Sequence, residues 1–197
     1  MQPNRPRSTS GALTLLLLAT LAGLTSLWAS QATQADTSAL QAPVLAPLAT
    51  HPRTARIVVE QLRRNHYVDM QVNDSLSSDM FDNYLEALDP GRYYFLASDI
   101  AEFEAYRFEL DNALQRGDLI PAYRMFNRLQ QRLIERTDYL QAQMSAGLDK
   151  LTFDTDQTIM IKREKAPWSS SPAAHDDLWD RRLKSQVLSM KLGDKEL

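Results

Sequence analysis

Asp89-Pro90-Gly91 is the feature that most limits how this chain can fold. Upstream, Leu76, Met80, Phe81, Tyr84, Leu85 and Leu88 recur at helical spacing, which predicts a helix over about 74–88. Proline disfavours the α conformation in the residue before it, and glycine permits positive φ, so the helix must end here. Tyr93-Tyr94-Phe95-Leu96 follows at once. That run is too short for a helix and too aromatic for a solvated loop. It predicts a buried extended segment, with helices packed around it.

The same reading extends along the chain. A first helix is expected from about Thr50 to Asn65, with Ile57, Val58 and Leu62 as its apolar stripe and Arg63 and Arg64 near its C-terminal end, where the dipole favours cations. His66-Tyr67-Val68 reads as a short extended exit. After the aromatic run, Ser98 or Asp99 is expected to cap a third helix reaching about Arg116, with Ile100, Phe103, Tyr106, Phe108, Leu110 and Leu114 on one face. Gly117 suits the position just past its end. The longest helix is expected from Leu119 to Ala146, with Asp118 as cap, Pro121 in its first turn, and Phe126, Leu129, Leu133 and Leu140 buried. Thr158-Ile-Met-Ile161 has strand-like residues, but one short strand needs a partner. Lys165-Ala-Pro-Trp168 reads as a turn with an aromatic anchor. Ser169–Pro172 then leads into a final helix carrying Leu178, Trp179, Leu183, Val187 and Leu188. The fold class predicted is all-α, an irregular domain of about five helices with short extended segments over residues 50–197.

The first 49 residues read differently. Arg5 and Arg7 are the only charges before Asp36, an apolar run spans Ala12 to Leu24, and small residues appear at Ala29, Ser30 and Ala32. These are the parts of a secretory signal peptide over 1–32, with cleavage expected after Ala32 and Ala29 or Ala35 as alternatives. The run falls short of the roughly 20 apolar residues of a membrane span. Residues 33–49 are Ala-, Thr- and Pro-rich and read as a flexible arm. No cysteine occurs, so neither a lipid-anchored cysteine nor a disulfide is expected, and stability must come from an apolar core.

Charge narrows the partners. Without Arg5 and Arg7, 20 Lys and Arg face 25 Asp and Glu, a net charge of −5 for the chain after residue 32. No basic patch is visible, and the Lys162-Arg163-Glu164-Lys165 cluster is short and interrupted by an acid, so no nucleic-acid partner is expected. No catalytic residue, cofactor or metal is expected either. There is no Gly-x-Ser-x-Gly elbow, and Ser189 and Lys191, two apart on a helix, point about 200° apart. His51, His66 and His175 are widely spaced, with no thiols nearby. His66 reads as a helix-terminal histidine rather than an interface contact. Asp79, Asp82, Glu86 and Asp89 read as one solvated helix face. Tyr93, Tyr94 and Phe95 read as core more readily than as a peptide groove, and Trp168 and Trp179 as core anchors that pack together.

Tyr84-Leu-Glu-Ala-Leu-Asp-Pro-Gly-Arg-Tyr-Tyr-Phe-Leu-Ala-Ser-Asp-Ile100 is the most specific stretch. With His66-Tyr67, Lys165-Ala-Pro-Trp168 and Leu178-Trp179-Asp180, it resembles the N-terminal helical region of bacterial tail-specific (C-terminal processing) proteases. The resemblance runs from about His51 to Leu192. It implies a periplasmic serine endopeptidase family with a Ser/Lys catalytic pair and a PDZ domain, both beyond residue 197. It implies an all-helical domain that packs on the protease core and helps enclose unfolded C-terminal tails. Helical-repeat lipoprotein adaptors are partners the resemblance implies. No catalytic residue of the family has a matching position here, so the chain is expected to be a truncated, inactive accessory domain. The alternative is a stand-alone periplasmic helical module that binds peptides or a partner protein, with no enzymatic role.

Overall fold

A computed structural model of the protein describes residues 42–65 and 71–193. The expected signal peptide, the first part of the expected arm, His66 and the Tyr67-Val68 exit lie outside the described residues. The described part is all-helical: α1 His51–Asn65, α2 Asp74–Leu88, α3 Ala97–Phe103, α4 Leu110–Arg116, α5 Ile120–Ala146 and α6 Pro172–Leu192. Short 3-10 turns follow α3 (Glu104–Tyr106) and α5 (Leu148–Lys150). The one bridge of β type among the described residues pairs Leu96 with Ser169, in parallel.

Local chemistry sets most boundaries. The Asn73 side chain accepts from Leu76 N–H at 3.1 Å and starts α2. Ser171 does the same for α6 by accepting from Ala174 N–H at 3.2 Å, with Pro172 opening the helix. Asp118 Oδ1 accepts from Ile120 N–H at 2.9 Å, one position before the Leu119 cap. Ahead of α3 the cap position falls on Leu96 rather than Ser98 or Asp99. Asp99 instead sits in the first turn and reaches back to accept from Leu96 N–H at 2.9 Å.

The core gathers Phe81 and Leu85 of α2, Phe95 of the aromatic run, Phe103 of α3, Leu110 of α4, and Met125 and Leu129 of α5. Phe95 meets Phe103 edge-on, with ring centroids 5.5 Å apart. The aromatic run is thus the buried extended segment expected, wrapped by four helices.

The structure corrects the sequence at four places. The single helix expected from 98 to 116 is two helices, because Ser77 opens the backbone between them. Its buried hydroxyl donates to the Arg107 carbonyl at 2.7 Å and accepts from Leu110 N–H at 2.9 Å, replacing intrahelical bonds. Phe108, placed on the apolar face of the unbroken helix, consequently points outward. Thr158–Ile161 finds no partner strand and is coil, with Ile161 86% exposed. Leu133 is exposed where it was expected to be buried, while Met125 fills the core. Finally, the α1 stripe of Ile57, Val58 and Leu62 is uncovered, although α1 packs on α4.

Gly117 explains how α1 reaches α4. Its φ of +76° is left-handed, and a Cβ there would lie 2.4 Å from the Pro52 carbonyl oxygen. Only glycine permits both the turn after α4 and this backbone approach.

Candidate functional site

The two sequence segments that carry the resemblance, 84–100 and 165–180, meet in space. They are joined around the turn at residues 89–96, which forms the most heavily bonded polar centre of the described residues.

Asp89 is its hub. At the end of α2 its own N–H donates to the Leu85 carbonyl at 2.9 Å, so the helix closes and the side chain swings past the helix end. The carboxylate, 2% exposed, accepts from Tyr93 N–H at 2.8 Å, Tyr94 N–H at 2.8 Å and Phe95 N–H at 3.0 Å. An extended segment with no strand alongside would otherwise bury three unpaired donors. Asp89 therefore does not belong to the solvated face shared by Asp79, Asp82 and Glu86, which stay exposed.

The other side of the turn is held by cations. Arg92 adopts a left-handed φ of 50°, uncommon for a residue with a Cβ. It is held there by its surroundings: Arg92 Nη1 donates to the Ala166 carbonyl at 2.6 Å, and its guanidinium lies 5.0 Å from the Trp168 ring. Arg163, itself buried, donates from Nε to the Gly91 carbonyl and from Nη2 to the Arg92 carbonyl, each at 3.1 Å. The positive φ expected at Gly91 falls on Arg92 instead; what Gly91 contributes is room, since a Cβ there would come within 2.4 Å of the Tyr93 ring and force it to shift.

From α6, the Trp179 indole N–H donates to the Tyr93 carbonyl at 3.0 Å, and His175 Nε2 lies 2.6 Å from the same oxygen. The short second contact assigns the proton to His175 Nε2, so that both groups donate to Tyr93 O. Burial pushes the His175 pKa below its ordinary value; the Tyr93 carbonyl acts in the opposite direction, and Arg136 and Arg132 reinforce the lowering. The histidine is therefore neutral near pH 7. Trp168 packs on Phe95 at 6.0 Å, and Trp179 on Tyr93 and Tyr94 at 6.2 and 5.5 Å. Each tryptophan thus anchors a different part of the aromatic run rather than pairing across the Ser/Pro turn.

A second polar centre ties α3 to α5. Asp99, 1% exposed, takes Arg132 Nε at 2.8 Å and also pairs with Arg128. Burial opposes its charge, but Arg132, the Leu96 N–H and Arg128 outweigh it and hold its pKa below the ordinary carboxylate value. Along the α5–α6 seam, Arg136 pairs with Asp176, and the Tyr139 hydroxyl donates to Asp180 at 2.7 Å. Burial and Asp180 together raise the Tyr139 pKa.

These groups position backbone; they do not assemble a nucleophile with a base. Ser189 Oγ donates to the Ser185 carbonyl at 2.9 Å, while Lys191 Nζ sits 4.9 Å from the Phe153 ring, so the two are engaged separately. Among the described residues no three acidic or imidazole side chains converge to hold a metal ion. No helix among them is long and apolar enough to cross a membrane. Sequence reading assigns no such positioning role to Ser77, Arg92, Arg163 or His175, although Arg163 counts in a basic cluster and His175 among the histidines weighed as metal ligands. For Arg92 and Arg163 the available signal was their nearness to the turn and to Trp168. For Ser77 and His175 the sequence held none, since their partners lie 30 and 82 residues away.

Comparison with known proteins agrees with this architecture. Residues 58–197 match the family model described as the tail specific protease N-terminal domain. Over 150 residues the chain is 33% identical to the Tail-specific protease of Haemophilus influenzae, an alignment covering 76% of this chain and 20% of that protein. The chain belongs to the tail-specific protease family, as its N-terminal domain. It spans about a fifth of the length of that curated relative.

Proposed function

We propose that this domain docks on the catalytic body of a periplasmic tail-specific serine protease and helps enclose unfolded protein substrates. The observation that carries the reading is α1. It is amphipathic in sequence, yet it has no buried residue, and Ile57, Val58 and Leu62 are 51%, 51% and 46% exposed. An apolar face left uncovered on a folded domain marks a contact surface. A protease body is the occupant that fits, because four-fifths of the Haemophilus relative lies outside the matched stretch.

In this reading the peptidase chemistry belongs to a segment carrying the Ser/Lys pair and the PDZ domain, and this chain contributes surface and rigidity. Export through a signal peptide over 1–32 and work with a helical-repeat lipoprotein adaptor complete it. The test is cleavage of an unfolded protein bearing an apolar C-terminal tail, by the chain with and without a protease segment of the family. Activity is expected only when the two are combined, and above that of the protease segment alone. Cleavage by the chain alone, or no gain on combining, overturns the reading.

A further inference from the structure

One side chain on α5 grips backbone in a way that no packing need explains. Asn127 Oδ1 accepts from the Leu45 N–H at 2.9 Å, and Asn127 Nδ2 donates to the Leu45 carbonyl at 2.8 Å. The N–H and C=O of one residue turn toward a single partner when that residue is extended, as in the hydrogen-bonded pairs of an antiparallel ladder. Pro43 and Pro47 flank Leu45 and bias Ala42 and Ala46 to extended backbone. The carboxamide therefore stands in for a neighbouring strand, and it reads a backbone unit rather than a side chain.

The apolar side chains of this segment gain little from being seated. Val44 is 84% exposed and Leu48 64% exposed. Beyond Asn127, the polar tethers are both at Leu48, whose N–H donates to His51 Nδ1 at 3.2 Å and whose carbonyl accepts from the His51 N–H at 2.9 Å. Yet a groove of about 680 Å³ lies between the segment and α5. Gln130, Gln131 and Ile134 line it next to Asn127, and Glu102, Arg124, Arg128 and Glu135 form its charged rim. A primary carboxamide offers the same donor and acceptor set as a peptide unit. Gln131 already donates to Glu135 Oε1 at 3.0 Å, so Gln130 and the Gln131 oxygen are the further groups this face presents to an extended chain, with an isoleucine beside them.

We infer that this face of α5 is a binding site for extended, apolar or proline-containing peptide backbone, and that residues 42–48 are its built-in occupant, a strap that such a peptide displaces. Recognition through backbone makes the site tolerant of sequence. Because the strap is tethered beside the site, it competes at high effective concentration, and the unsubstituted chain shows only a reduced apparent affinity. The inference is independent of docking through α1, which lies on other residues.

The experiment uses the whole 197-residue chain and a fluorescein-labelled peptide with the sequence of residues 42–49, read by fluorescence polarisation. Leu45→Pro removes the strap's N–H and releases it without touching α5. The peptide is expected to bind the Leu45→Pro chain about tenfold more tightly than the unsubstituted chain, the fold-change of roughly one to two lost hydrogen bonds in the competitor. Adding Asn127→Leu to Leu45→Pro is expected to abolish binding. Should that variant not fold, as judged by its circular dichroism melt, Asn127→Asp keeps the acceptor, loses the donor, and is expected to weaken binding. A peptide with proline at the Leu45 position should not bind. Equal affinity for the unsubstituted and Leu45→Pro chains, binding that survives the Asn127 substitutions, or no binding by Leu45→Pro overturns the inference.

Discussion

Replacing Asp89 should unfold the domain from its centre. The carboxylate satisfies three buried N–H groups, those of Tyr93, Tyr94 and Phe95, and nothing else around the turn is placed to take them. Asp89→Ala leaves all three orphaned. At roughly 1–1.5 kcal/mol for each stranded donor, the loss comes to about 4 kcal/mol. Asp89→Asn separates the bonds from the space the side chain fills. Its one oxygen can keep the pair of bonds made by Oδ2, to Tyr94 and Phe95, while its amide meets the Tyr93 N–H donor to donor. That variant should lose about half as much, on the order of 2 kcal/mol. Urea unfolding followed by tryptophan fluorescence is the suitable assay, because Trp168 and Trp179 pack on this same segment. With a slope of about 2 kcal/mol per molar urea, Asp89→Ala should lower the midpoint by about 2 M. A loss below about 1 kcal/mol for Asp89→Ala, or Asn costing as much as Ala, would refute the claim that the carboxylate holds the aromatic run.

Three further outcomes follow from other parts of the fold. Gly117→Ala should free α1 from α4, since its Cβ would press on the Pro52 carbonyl; hydrogen exchange should speed up selectively within 51–65, with the core helices unchanged. Trp179→Ala should cost about 3 kcal/mol in urea unfolding, given its burial and its bond to Tyr93 O; a change under about 0.5 kcal/mol would show that it does not anchor the run. His175 has a folded pKa below its unfolded value of about 6.5, so the unfolded chain binds the extra proton first and stability is lost as pH falls from that value. Thermal melts of the unsubstituted protein should drop from about pH 6.5 downward, whereas His175→Gln should stay flat until the carboxylates titrate.

The sequence made the helices and the buried run legible because both leave local signals. Gly117, Ser171 with Pro172, and the apolar spacing of 76–88 act through neighbours a few residues away. Asp89 was misread because helical periodicity places it on the Asp82–Glu86 face, whereas a residue at a helix end is no longer bound by that periodicity. Ser77 was invisible for a different reason. A serine inside a helix looks neutral until another chain segment brings it a carbonyl and an N–H, here from Arg107 and Leu110. The same limit hid the role of His175, whose partner is a backbone carbonyl that carries no residue signature. The α1 stripe was read correctly as apolar, but periodicity cannot say whether an apolar face is covered within the domain or from outside it.

Whether the α1 face is covered from outside the domain can be measured. Ile57→Glu with Val58→Glu changes two side chains that are each 51% exposed, so the chain alone should melt as before. Its association with a family protease segment, measured by analytical ultracentrifugation, should weaken by at least about tenfold if the α1 face is the docking surface. Unchanged association of a normally folded double variant would contradict the account and place the contact elsewhere.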